Sequence, residues 1–284
     1  MKLIRLGESG AEVPCVLDPE GNARDVSSVV PDFSPDTFEQ LGARLSGQDL
    51  ASLPIVDKAN ARIGAPIARP RNVWCIGLNY SDHAAESGMP VPEEPILFTK
   101  PSSTVVGPND PIFKAANSTK LDWEVELGVV ISKPTLHVSK EDAMDHVFGY
   151  TIVNDVSERS WQLERGGQWN KGKGYPSFCP TGPILVSKDD IPAPGDLAMR
   201  LAVNGETMQD GSTSTMIFDV PTIVSYLSDF LLLEPGDLIC TGTPPGVGMG
   251  QSPQRYLNIG DTVVLEIDGL GGQAQTVVAA GGLS

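Results

Sequence analysis

Basic charge is scarce in this chain: 20 Lys and Arg stand against 36 Asp and Glu in 284 residues, for a formal charge of -16. A surface of that sign repels phosphate backbones and anionic lipid headgroups, so neither nucleic acid nor a membrane surface is an expected partner. Apolar runs long enough to span a bilayer are missing, and the first residues, Met-Lys-Leu-Ile-Arg-Leu-Gly-Glu, carry charges where a signal peptide needs an apolar core. A cytoplasmic protein is expected. Thiols and imidazoles are few: Cys15, Cys75, Cys179 and Cys240 form no C-x-x-C pair, and His83, His137 and His146 lack ligand spacing to them. The cysteines are therefore read as reduced core residues rather than as disulfides or a zinc site. A phosphate loop is missing as well, because the glycine-rich stretch 241–250 lacks the Gly-Lys-Ser/Thr ending.

Short strands dominate what is present. Residues 2–6 and 13–17 with the turn Asp-Pro-Glu-Gly after them read as a hairpin meander, followed by a helix over 34–46 with Phe38, Leu41 and Leu45 on one face and Asp36 or Ser34 as its cap. Prolines 54, 66 and 70 then interrupt any periodicity, which sets a boundary between a small N-terminal domain, 1–68, and a main domain, 69–284. Beyond it, stretches rich in Val, Ile and Thr predict strands at 73–77, 96–100, 124–132, 149–155, 184–187, 199–203, 238–241, 262–267 and 275–279. Asn204-Gly205 supplies the positive backbone angles of a tight hairpin. Helices are expected at 139–146, 157–164 and 220–231, the last capped by Asp219 with Pro221 in its first turn. These are too few for a doubly wound sheet, so the expected class is mostly β with short helices, α+β. No repeat or low-complexity tract interrupts it.

Two groupings point to chemistry. Glu124 and Glu126 sit two apart in Asp-Trp-Glu-Val-Glu-Leu, and strand periodicity aims both at one face while Val125, Leu127 and Val129 take the other. On an exposed edge strand such a pair is a solvated face. Packed together it needs a cation or a proton, and Asp155, ending the apolar stretch from Gly149, adds a third carboxylate. An all-oxygen set suits a hard cation, Mg2+ first, with Mn2+ or Ca2+ as alternatives. The second grouping is His83 and Glu86, three apart between Gly77 and Gly88. On a helix the carboxylate can orient the imidazole for proton abstraction from water; otherwise the pair is an incidental surface contact. Such a short glycine-bounded segment could also form a lid.

The ordered motifs G-L-N-Y-x-x-H-A-x-E (77–86), L-F-T-K-P (97–101), D-W-E-V-E-L (122–127), G-Y-T-I-V-N-D-V-S-E-R (149–159), G-K-G-Y (172–175) and T-G-T-P-P-G-V-G (241–248) resemble the fumarylacetoacetate hydrolase family over about residues 70 to 280. The resemblance implies a mixed β-sandwich or β-roll catalytic domain, a small N-terminal domain, and a homodimer that can pair into a tetramer. It implies Mg2+ on Glu124, Glu126 and Asp155, and His83, Glu86 and Lys173 as the catalytic groups. Lys100, Arg159, Gln162, Tyr80 and Thr243 would contact a small anionic oxo-acid. Without it, Lys100 and Lys173 read as surface lysines, and Arg159 as a partner of Glu158 or Glu164. The chain departs from the family at Glu158-Arg159-Ser160, where Ala-Arg-Asp is common; the arginine is kept.

The stretch 161–169 resembles bacterial members acting on diketo acids derived from sugar acids. The implied reaction is metal-dependent hydrolysis of a carbon-carbon bond in a 2,4-diketo-3-deoxy sugar acid of the rhamnonate or fuconate type, giving pyruvate and a hydroxy acid such as lactate. Oxaloacetate decarboxylation and oxo-acid tautomerisation are the alternatives within the family. A non-catalytic metabolite-binding protein is the alternative outside it. A two-carboxylate glycosidase fits poorly, since Glu124 and Glu126 lie side by side rather than across a sugar.

Overall fold

Strand Val125–Ile131 organises the molecule. In the computed structural model, which describes residues 1–87 and 90–281, it is buried on both faces and hydrogen-bonded on both edges. It pairs antiparallel with Val147–Asn154 on one side and with Leu238–Cys240 on the other. Beyond Leu238–Cys240 the sheet continues through the parallel strand Val73–Gly77 to the edge strand Ile96–Lys100. In the other direction it runs through Leu185–Ser187, Lys2–Leu6, Val13–Leu17 and Ala23–Asp25 to Ile55–Val56. The N-terminal meander thus extends the large sheet: Leu3 lies opposite Leu185, and the sheet crosses residue 68 without a break.

A second sheet covers one face of the first. Its order is Glu206–Ser212, Ala198–Val203, Thr262–Ile267, Gly271–Ala279 and Ile112–Lys114. Thr262–Ile267 alternates exposed and buried residues along its length, as a strand packed on one face must. Its Val263, Leu265 and Ile267 meet Val125, Leu127, Val129 and Ile131 in the main core. A second core lies on the opposite face of the large sheet, where Phe38, Leu41 and Leu45 pack with Leu3, Val16, Val130 and Leu238. The chain is therefore a mostly-β protein with short helices, as its strand-rich pattern indicates. No helix among the described residues is long and apolar enough to cross a membrane.

The strand expectations hold to within a few residues, and the Asn204-Gly205 hairpin forms with φ of 53° and 80°. Helix Val220–Phe230 starts as expected, with the Asp219 carboxylate accepting from Thr222 N at 3.0 Å. Three helical expectations are corrected. The first helix is only Phe38–Leu45 and neither Ser34 nor Asp36 caps it: residue 37 precedes it, and Asp36 instead accepts from Arg71. The segment 139–146 yields only a 3-10 turn, Ala143–His146, although the Ser139 Oγ accepts from Asp142 N as the expected cap would. In 157–164, Ser157–Glu158 pairs with Leu121–Asp122 as a strand before the helix Arg159–Leu163 begins.

Leu127 is fully buried between the two sheets. Leu127→Ala should lower the unfolding free energy by about 2–5 kcal/mol, read as an earlier denaturant midpoint with little change in slope.

Candidate active site

Strand register assembles the acidic cluster. Val125 lies opposite Asn154, and Asp155 N donates to Glu124 O at 2.9 Å, which sets Asp155 beside Glu124. Glu126 follows on the same face by the period of two. One oxygen from each of Glu124, Glu126 and Asp155 lies within 4.8 Å of the others, and all three residues are buried. Like charges so close in a dry site are tolerable only with countercharge.

Three cations supply part of it. Lys173 Nζ bridges Glu124 Oε2 at 2.7 Å and Asp155 Oδ2 at 2.8 Å. Lys100 Nζ donates to Asp155 Oδ1 at 2.5 Å and to Val156 O at 3.2 Å. Arg159 Nη2 donates to Glu124 Oε1 at 2.6 Å, while its Nη1 bonds Gln162 Oε1 at 3.0 Å. Burial pushes the Glu124 carboxyl up, but Lys173 and Arg159 outweigh it and hold the group well below the usual carboxylate range. Burial likewise disfavours the charged Lys173, and Asp155 and Glu124 more than compensate, so its ammonium is held on. Glu126 has the opposite fate. Its Oε2 accepts from Gly242 N at 2.9 Å, and burial, then Asp155 and Glu124, push its carboxyl well above the usual range.

That imbalance is the test of a metal's fit. Three convergent carboxylates, one of them short of countercharge, form an all-oxygen donor set suited to a hard divalent cation.

Lys173 reaches the cluster because its helix, Asn170–Lys173, lies tight against Arg159–Leu163. A Cβ on Gly172 would come within 2.5 Å of Glu158 O, so only glycine permits the approach. Arg159 is oriented by Asp122, a buried residue that the sequence reading did not single out. Its carboxylate accepts from Arg159 Nε at 2.8 Å, from Gly248 N at 2.7 Å and from Met249 N at 3.0 Å. The only advance signal for it was its place at the head of the Glu-x-Glu motif.

His83 lies on the helix Ser81–Ser87 and is buried. Its Nδ1 is 3.2 Å from Glu86 Oε2, and Glu86 accepts from Gly246 N at 3.0 and 3.2 Å. Burial raises the Glu86 carboxyl, but His83 and the Gly246 N–H together bring it below its ordinary value. The helix is pinned at its start, where Asn79 Nδ2 donates to Thr241 O at 2.8 Å and to Phe218 O at 3.0 Å.

One cavity of about 200 Å³ joins these groups: His83, Glu124, Glu126, Arg159, Gln162, Lys173 and Thr243 all line it. Asp155 lies within the cluster behind it. Two of the expected substrate contacts are placed elsewhere. Tyr80 is fully buried in the core between the sheets, its hydroxyl turned to Met199 Sδ at 3.2 Å. Lys100 is engaged by Asp155 Oδ1 and Val156 O and is not part of the cavity lining. All four cysteines are free and buried.

Residues 72–278 match the family model for the fumarylacetoacetate (FAA) hydrolase C-terminal domain, and the chain belongs to that family. A curated relative in Burkholderia multivorans, named "Putative hydrolase", is 52% identical across 99% of this chain and 100% of its own length. A fumarylacetoacetate hydrolase from psychrophilic Exiguobacterium antarcticum superposes with a TM-score of 0.86 at 38% identity, covering 98% of this chain and 99% of that one. A 2-hydroxyhepta-2,4-diene-1,7-dioate isomerase from Mycobacterium marinum does so with 0.75 at 35%, covering 99% and 100%. Maleylpyruvate hydrolase from Sphingobium sp. SYK-6, solved with manganese(II) and pyruvate, gives 0.82 at 26%, covering 98% and 99%. The family is thereby established for this chain, and hydrolases and isomerases among its neighbours support an enzymatic role.

Because Glu126 holds its proton more tightly than an ordinary carboxyl, binding a divalent cation should release a proton, and Mg2+ affinity should rise with pH. Calorimetric titration in buffers of different ionisation enthalpy measures both effects. Glu126→Gln should weaken Mg2+ binding by roughly tenfold or more and remove most of the proton release.

Proposed function

We propose that the protein hydrolyses a carbon-carbon bond in a 2,4-diketo acid, with Glu124, Glu126 and Asp155 holding Mg2+ or Mn2+. The observation that carries this reading is a cavity lined both by Glu124 and Glu126 of the buried acidic cluster and by His83, whose Nδ1 faces Glu86. A divalent cation there would polarise the carboxylate and 2-oxo oxygens of the substrate and favour the enolate of the product.

The chain's own residues account for the rest. With Nδ1 engaged by Glu86, His83 takes the proton of a water through Nε2 as that water adds to C4. The C3–C4 bond breaks, its electron pair becomes the enolate of pyruvate, and a proton returned to C3 completes pyruvate. The oxygen added at C4 leaves in the second acid. Lys173 and Arg159 hold positive charge beside the developing enolate, where it counts more than in the ground state. Gln162 fixes Arg159, and Thr243, which donates to Val125 O at 2.9 Å, presents its side chain to the cavity.

The substrate proposed is a 2,4-diketo-3-deoxy sugar acid of the rhamnonate or fuconate type, yielding pyruvate and lactate or a similar hydroxy acid. The isomerase among the structural neighbours favours one second reading, in which the same enolate forms and is reprotonated without water attack. The proposed assembly is a homodimer, which sedimentation velocity would resolve.

Metal-free protein given a panel of 2,4-diketo acids and oxaloacetate, with and without Mg2+, should release pyruvate and a second acid only with metal, and no carbon dioxide. Carbon dioxide from oxaloacetate, or isomerised substrate without a second acid, would replace the hydrolase reading. His83→Ala should lower kcat by about 10²- to 10⁴-fold while Mg2+ binding by calorimetry stays intact. Full activity in that variant would remove His83 as the base.

A further inference from the structure

The cavity has two unlike walls, and the second has so far been given no role. Besides the charged groups, its lining holds Ile76, Leu78, Phe98, Leu163, Trp169 and Met249. Trp169 packs on Gly77: a Cβ there would lie 2.4 Å from its ring, so the indole rests on bare backbone. Its ring meets Phe98 edge to face at 5.4 Å, and Phe98 in turn lies under Lys173 Nζ, 5.1 Å from the ring centre. The aromatic pair thus begins where the charged wall ends.

The cations lining the cavity are Arg159 and Lys173, and both are largely engaged. Arg159 gives three of its N–H groups to Asp122, Gln162 and Glu124, and Lys173 gives two to Glu124 and Asp155. What remains of their donors suffices for about one carboxylate. The charge balance leads to the same count. Asp122, Glu124, Glu126 and Asp155 face Lys100, Arg159 and Lys173, so a divalent cation leaves the ionised cluster with one positive charge, which one substrate carboxylate neutralises. Glu86, beside His83, adds only negative charge. The side chains outside the described set, at 84, 85, 87–89 and 282–284, are Ala, Ala, Ser, Gly, Met, Gly, Leu and Ser, and none is cationic.

Resting on the oxo-acid reading above, we infer that the Phe98–Trp169–Leu163 wall is the subsite for the substrate's far end, and that it selects an uncharged tail and rejects a second carboxylate. A dianionic substrate would have to bury its distal carboxylate against apolar side chains with no partner, at a desolvation cost a neutral tail does not meet. Leu163, partly exposed, marks the mouth at which the tail ends.

The test uses 2-oxohexanoate and 2-oxohexanedioate, which share one chain length and lack the 4-oxo group that hydrolysis requires. Titrated calorimetrically into the full-length Mg2+-loaded protein, the monoacid should bind at least ~10-fold more tightly than the diacid. Leu163→Lys should place a cation at the mouth and bring the two affinities to within roughly threefold, mainly by strengthening the diacid. Equal or tighter binding of the diacid by the unaltered protein would overturn the subsite assignment alone. No binding of either acid would overturn the oxo-acid reading beneath it, and the inference with it.

Discussion

Three carboxylates that repel one another are buried together at the end of one strand pair, and most of the local structure exists to make that tolerable. Burial alone would favour the protonated form of Glu124 and of Glu126. Lys173, Lys100 and Arg159 hold Glu124 and Asp155 in ion pairs of 2.5 to 2.8 Å, while Glu126 receives, among the described residues, a backbone N–H and no ion pair. The result is a deliberate asymmetry: Glu124 is drawn down and Glu126 pushed up within one cluster. A site fully neutralised by its own lysines would have no reason to take a cation. One left with a single unsatisfied carboxylate does.

A single loop ties the remaining acids to this cluster. Between residues 241 and 250, Gly242 N binds Glu126, Gly246 N binds Glu86, and Gly248 N and Met249 N bind Asp122. One stretch of backbone therefore sets Glu126, the orienter of His83 and the anchor of Arg159. Gly242 and Gly246 have φ of 98° and 104°, conformations that side chains rarely adopt, and a Cβ on Gly246 would come within 1.9 Å of Met208 O. The glycines of this segment are thus explained by the directions in which their N–H groups must point, and not by phosphate binding.

The parts of this design that were legible in the sequence are those with a local period or a local turn. Glu-x-Glu on a strand predicts a shared face, Asn-Gly predicts its hairpin, and Asp219 predicts its cap, because each is settled by neighbouring backbone. Whether that shared face is solvated or enclosed is not local. It depends on Val125–Ile131 lying in the middle of its sheet, with Leu238–Cys240 beyond it, a partner more than a hundred residues away. The same reasoning explains Tyr80 and Lys100. Motif position placed both at the substrate, yet Tyr80 turns into the inter-sheet core and Lys100 is engaged by Asp155 Oδ1 and Val156 O. Asp122 went unnoticed for the complementary reason: its partners, Gly248, Met249 and Arg159, come from two distant segments.

The division of labour between the two walls follows from the same electrostatics. Charged groups are expensive to bury and must be paired, so every cation brought to the cavity is drawn to the acidic cluster and little donor capacity remains for the far side. Apolar and aromatic residues can fill that side without any countercharge, and the Phe98 ring makes the junction by offering its face to Lys173. A cavity built this way is polarised by necessity. One end is organised around a metal and a carboxylate, the other around the shape of an uncharged chain. Substrate choice among family members with the same acidic cluster can then diverge through the apolar wall alone, since changes there leave the charge balance of the chemistry untouched.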